Sequence, residues 1–288
     1  MTPGQNIQPM KRLLSIELQK IWQNKASRVL TLTYFILLSF IALIASINFS
    51  FLGINFRIAD QGIFNFPYIW HFNTYIAAIL KFFLAVVIVS MMANEYTYGT
   101  LKQNLIDGLS KKEFIQSKLI TVALFALGST IFIFIMSMIL GLCFSSYDEA
   151  AIIFSDLEYF LAYFIKLVAF FSFCLFLGVL VKRSAFALGF LLVWFFAEKI
   201  FYGLLRWLVF TSTEQVDKVA AFLPLESMSN LIKEPFTRFK AYKAIENQVS
   251  GGVAAKDYSV HWYEIVIVVI WTVIFMLMSY KILQKRDL

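Results

Sequence analysis

Four ionisable residues, Lys81, Lys166, Glu198 and Lys199, stand inside long apolar runs of this chain. Charges placed near mid-bilayer depth are costly, so they face a partner or a wet cavity and mark ion pairs, ion paths or ligand contacts. Lys81, Lys166 and Glu198 are expected to form an intramembrane polar cluster. The alternatives are that the lysines snorkel outward separately, or that they line a cavity for an anionic headgroup. Other chemistry lacks its motifs: there is no G-x-x-x-x-G-K-[ST] phosphate loop, no H-E-x-x-H and no G-x-S-x-G, so neither nucleotide binding nor hydrolysis is expected of this chain. His71 and His261 begin two different apolar runs and read as interfacial residues, not as metal ligands. Cys143 and Cys174 lie in or beside such runs and imply neither a disulfide framework nor a thiolate metal site.

The second constellation is residues 94–119, NEYTYGTLKQNLIDGLSKKEFIQSKL, a polar segment between two apolar runs. Tyr98, Leu101, Leu105 and Leu109 recur at helical spacing, with Lys102, Gln103 and Asp107 opposite them. This predicts a short amphipathic helix ended by Gly108. Ser110 followed by Glu113 is an S-x-x-E capping box, with Leu109 and Phe114 at the staple positions, so a new helix starts at Ser110. Lys111, Lys112 and Lys118 are expected near lipid headgroups.

The pattern Glu95, three residues, Gly99-Thr100-Leu101, then Ser110 and Lys118 resembles the first cytoplasmic loop of ABC type-2 export permeases. The chain has Leu109 where that family often has Pro, and Lys111 where it often has Arg. The resemblance implies that this loop docks on a separate ATPase subunit. ATPase coupling is accordingly assigned to Glu95, Tyr98, Gly99, Thr100, Leu101, Leu105, Ser110 and Lys118. It further implies ATP and Mg on that partner, no cofactor in this chain, and a second permease copy or a homologous permease.

The elements that position these residues follow from composition. The 288 residues are 60% hydrophobic, with 32 Phe and a mean hydropathy of +0.75, which suits an integral membrane protein and not a soluble domain. The net charge of +7 sits in short loops beside apolar runs, where it sets orientation, so nucleic acid is not expected as a partner.

The first 28 residues comprise a polar tail and an amphipathic helix. Met10, Leu14, Leu18, Ile21 and Trp22 make one face and Lys11, Arg12, Gln19, Lys20 and Gln23 the other, which reads as an interfacial helix. Met1 and Met10 are alternative starts, and no cleavable signal is expected. A six-span domain fills residues 29–288, with spans near 29–52, 71–93, 117–142, 157–181, 185–210 and 260–283. Fourteen Lys and Arg fall on one side of these spans, against Arg57 in the short loops of the other. Both termini and the 94–113 loop are therefore expected in the cytoplasm. The loop 211–259 is extracytoplasmic, with Pro224 and Pro235 as breakers and Gly251-Gly252 ending a helix. Its AAFLPLESMSNLI stretch either re-enters the membrane or caps the bundle.

The expected fold is thus an all-α, six-span protein of the cell (inner/cytoplasmic) membrane, with an interfacial helix and a short coupling helix. The expected function is a permease subunit of an ABC exporter, itself not an enzyme. The rival readings are a secondary transporter or channel using Lys81, Lys166 and Glu198 as a relay, and a non-transporting membrane anchor of a larger complex.

Overall fold

The computed structural model describes residues 7–46, 48–51, 54–57, 62–147, 149–210, 212–238 and 257–286. Of the expected polar tail at 1–9, residues 1–6 lie outside these residues, as does the glycine pair at 251–252, whereas 7–9 form the first turn of a helix and not a tail. Among the described residues, five helical segments are long and apolar enough to cross a membrane: Tyr68–Thr97, Lys111–Phe144, Ala150–Val181, Ser184–Val209 and Trp262–Lys285. These fall on the expected spans two to six.

In chain order the helices are α1 (Ile7–Gln23), α2 (Lys25–Ser46), α3 (Tyr68–Thr97), α4 (Thr100–Ile106), α5 (Lys111–Phe144), α6 (Ala150–Ile153), α7 (Glu158–Val181), α8 (Ser184–Leu204), α9 (Thr213–Ala220), α10 (Pro224–Asn230) and α11 (Trp262–Lys285). The expected span at 29–52 is too long, because α2 stops at Ser46 and Asn48–Phe51 pairs antiparallel with Ile54–Arg57, Phe49 opposite Phe56. The sequence there alternates polar and aromatic residues, a period of two that suits a strand and not a helix.

Helix α7 is the axis of the bundle. It is apolar around most of its circumference and buried from Tyr159 to Val179 except for Leu161, which is exposed, and scattered half-buried positions, packed by α3, α5, α8 and α11. Close approach of α3 depends on Gly178, where an added Cβ would sit 2.9 Å from Met92 Cβ. Three hydroxyls tie α2, α5 and α7 at their centre. Tyr34 Oη lies 2.6 Å from Tyr163 Oη and 2.7 Å from Ser129 Oγ, which are 2.9 Å from each other. In such a ring each group can donate once and accept once, so no buried hydroxyl is left unpaired. Helix α8 is peripheral: only Ala187, Leu191 and Glu198 are buried along it.

At the bundle end away from α4, His71 is fully buried within the protein. It stacks on Tyr159 at 4.4 Å, its Nε2 lies 2.8 Å from Lys233 O, and Arg238 Nη1 is 3.0 Å from its Nδ1. With Arg238 donating to Nδ1, the ring proton sits on Nε2 and is given to Lys233 O. His261 instead meets Asp257 at 3.0 Å.

Helix α10 is inserted among α7, α8 and α11, and Met228, Leu231 and Ile232 join the core. Pro224 opens this helix at its first turn, where its missing N–H costs nothing, so it starts a helix where a break was expected.

Candidate functional site

The 94–113 loop is built by local signals that the structure bears out. Gly99 adopts a left-handed conformation (φ 67°) that reverses the chain between α3 and α4, and Gly108 (φ 97°) ends α4. Ser110 caps α5: Ser110 N donates to Glu113 Oε2 at 2.9 Å and Glu113 N to Ser110 Oγ at 3.2 Å.

The α4 stripe does not face outward as a whole. Leu101 is 1% exposed, and Leu105 and Leu109 pack half-buried on the same core, whereas Tyr98 is 72% exposed. Leu101 therefore anchors α4 to the bundle and cannot reach a partner. The surface presented by the loop is Tyr98 with Lys102, Ile106 and Asp107.

Beneath α4 lies a buried charge cluster. Lys118, expected near headgroups, has no exposed surface; its Nζ donates to Glu95 Oε1 at 2.7 Å and to Glu17 of α1. Thr100 Oγ1 donates to Glu95 Oε2 at 2.6 Å, and Lys20 Nζ reaches Glu95 Oε1 at 2.9 Å and Glu17 Oε1 at 3.4 Å. Helix α5, at 34 residues, is about 50 Å long and so outruns the roughly 30 Å hydrocarbon layer. Its first turns, including Lys118, have room beyond that layer to meet α1. Two ammoniums face two carboxylates, so the cluster carries no net charge, the condition under which buried ions are tolerated. Burial opposes the Lys20 ammonium, but Glu17 and Glu95 more than offset it, and its pKa is raised.

Glu95, Thr100 and Lys118 are thus joined by hydrogen bonds, with Gly99 and Leu101 setting α4 over them, while Ser110 caps α5 apart from the cluster. Glu17 was missed; its signal was an acidic residue four positions before Ile21 on the side of α1 that turns out to pack inward. The opposite side exposes Leu18 and Trp22, so the face expected to be apolar is split between bundle and surroundings. Arg286 and Lys111 tie the same end together: Arg286 donates to Val179 O at 2.6 Å, Leu180 O at 2.9 Å and Tyr96 Oη at 3.1 Å, and Lys111 Nζ to Arg286 O at 2.9 Å. An open cleft of about 300 Å³ beside the cluster is lined by Lys20, Ile21, Asn24, Met91, Glu95 and Thr100.

The intramembrane cluster differs from expectation. Lys81 and Glu198 line one cavity, and Lys166 lies close behind, but Glu198 pairs with neither lysine. Its carboxylate is filled by Trp194 Nε1 at 2.7 Å, Leu225 N at 3.0 Å and Glu226 N at 3.0 Å. Free N–H groups at the start of α10 outcompete a distant ammonium because they are fixed and point at the acceptor. The ion pair that does form is Lys199 with Glu226, at 2.6 Å.

Residues 35–288 match the family described as "Protein of unknown function (DUF2705)". The chain belongs to that family. No curated protein matches the chain. In this DUF2705 protein, buried ionisable groups converge at the charge cluster, at the cavity and around His71, and no group of three or more His, Cys, Asp or Glu among the described residues could hold a metal.

Proposed function

We propose that the chain is the permease subunit of an ATP-driven ABC exporter of type-2 character, an inner-membrane protein with both termini in the cytoplasm. In this reading α2 is the first of six spans, and a second permease copy or a homologous permease completes the translocation path. ATP and Mg belong to a separate ATPase subunit, and the present chain has no enzymatic role. The observation that carries the reading is the joining of Glu95, Thr100 and Lys118, all residues of the resemblance, into one buried unit that fixes α4 against α1, α3 and α5. A push on α4 is then passed to three helices at once, since ion pairs and a buried anchor leave it no independent motion. The docking face is Tyr98, Lys102 and Ile106, with Leu101 and Leu105 holding it from behind.

A relay through Lys81, Lys166 and Glu198 is less well supported, because Glu198 would have to release three fixed donors to exchange a proton or ion. The test is co-expression with an ATPase encoded beside this chain. Tyr98→Asp with Ile106→Asp should leave folding unchanged and reduce co-purification at least tenfold. Full co-purification and transport by that variant would sink the docking assignment.

A further inference from the structure

His71 joins three parts of the chain. Its ring lies parallel to Tyr159 of α7 at 4.4 Å, and both its nitrogens are taken by the segment that follows α10, Nε2 by Lys233 O at 2.8 Å and Nδ1 by Arg238 Nη1 at 3.0 Å. A carbonyl only accepts and a guanidinium only donates, so one ring nitrogen must carry the single proton and the other must be bare. Only neutral imidazole satisfies both. A second proton would have to go on Nδ1, where it meets an N–H of Arg238 instead of a lone pair. Two cations would then face each other at hydrogen-bond distance around a fully buried ring.

The other charged and titratable groups around the ring leave this conflict in place. Lys166 of α7 has the sign of a protonated imidazole and Glu234 the opposite sign. Glu234, however, already accepts from Phe236 N at 3.0 Å and from Thr237 Oγ1 at 3.2 Å. Lys233 Nζ turns to Asp257 O at 3.1 Å and stands 3.9 Å from Glu264. Tyr159 gives its hydroxyl to Tyr258 O at 2.8 Å, and the Tyr258 ring lies 5.7 Å from His71. Arg238 closes the single 3-10 turn Phe236–Arg238, and its guanidinium covers the rings of Tyr68 and Tyr258 at 4.4 and 4.7 Å. The inserted helix α10 is therefore held at both ends by different chemistry, by the Glu198 carboxylate at its start and by a neutral imidazole just beyond its end.

We propose that the His71–Arg238 contact is an acid-sensitive latch: protonation of His71 expels Arg238 and frees residues 233–238 from α3. The released state binds one proton more than the latched state, so acid favours release. Release is least above the ordinary histidine value of about 6.5 and grows by up to about tenfold per pH unit below it. The latch asks nothing of an ATPase, so its failure and the failure of the exporter reading are separate results.

The full chain in neutral detergent is compared at pH 7.5 and 5.5 by hydrogen–deuterium exchange, with rates corrected for the intrinsic pH dependence of amide exchange. Protection of residues 233–238 should fall about tenfold at pH 5.5, with the buried middle of α7 unchanged. His71→Gln, whose amide can accept from Arg238 and donate to Lys233 O without titrating, should stay protected at both pH values. His261→Gln should keep the step of the parent, because His261 pairs with Asp257 instead. The chain has two histidines, so ring-15N labelling with NMR also reads His71 without a variant. Its ring should be neutral with the proton on Nε2 at pH 7.5, and imidazolium should appear only as protection is lost. Equal protection of residues 233–238 at the two pH values, a step that survives in His71→Gln or vanishes in His261→Gln, or an imidazolium ring beneath a protected segment overturns the proposal. Should His71→Gln fail to fold, the ring signal and the exchange of the parent chain decide it.

Discussion

Glu95 and Lys118 stand 23 positions apart in sequence and meet at 2.7 Å, with side chains 3% and 0% exposed. The contact ties the end of α3 to the second turn of α5 across α4, so the loop between them is spanned by an ion pair that excludes water. Removing one partner of such a pair strands a buried charge, at a cost of about 3 to 5 kcal/mol. Lys118→Met should therefore lower Tm sharply, and Lys118→Met with Glu95→Gln should recover part of the loss. A double variant no better than the single one would show that the two side chains are not coupled. Lys20→Met should cost less than Lys118→Met, because its side chain is 37% exposed and solvent screens it. The loss should still be measurable, since Glu17 and Glu95 are then left to one ammonium.

The anchoring role of Leu101 separates support from docking. Leu101→Ala should cost about 2 to 5 kcal/mol as a buried truncation, measurable by thermal unfolding of the isolated chain. Ile106→Ala, 74% exposed, should change stability by less than about 0.5 kcal/mol. Equal costs at both positions would mean that α4 does not pack as described.

Glu198 holds α10 in place. Glu198→Gln keeps a carbonyl acceptor but loses the charge-assisted bonds, so about 1.5 to 3 kcal/mol should be lost. Adding Lys81→Met or Lys166→Met should not restore it, with coupling below about 0.5 kcal/mol. Rescue by either lysine variant in a double-mutant cycle would instead reveal a direct charge pair.

Gly178 sets the spacing of α3 and α7. Gly178→Ala presses a methyl to 2.9 Å from Met92 Cβ, and overpacking of this kind costs about 1 to 3 kcal/mol. Combining it with Met92→Gly should relieve the clash. A stability unchanged by Gly178→Ala would mean that the helices are free to separate.

What could be read from the sequence followed the range of the interaction. Spans two to six were legible because hydropathy is summed over about twenty neighbours, and the Ser110–Glu113 cap because its partners are three residues apart. The Lys118 environment was not, since one of its two carboxylates, Glu17, comes from 101 positions away, and a lysine at the start of an apolar run looks like any interfacial lysine. Glu198 misled for a different reason: its partners are backbone N–H groups of residues 225 and 226, and every residue except proline carries one. The reach of α2 was overestimated because the alternation at 48–57 is as apolar as a helix end while its period is two.

The burial of most of α7 also has a consequence for biosynthesis. Two of its neighbours, α3 and α5, precede it in the chain, but α8 and α11 are made later, so when α7 first enters the bilayer part of its surface has no protein to meet. It packs as extensively on α11 as on α3, and α11 emerges from the ribosome only after α8 and the segment that follows it. Until then Phe173, which also meets Trp194 of α8, and Phe176 lack the Phe275 ring of α11 that they pack against in the finished bundle. A chain stalled before α11 thus leaves that face of α7 uncovered, and a separately expressed α11 segment is the piece that would cover it.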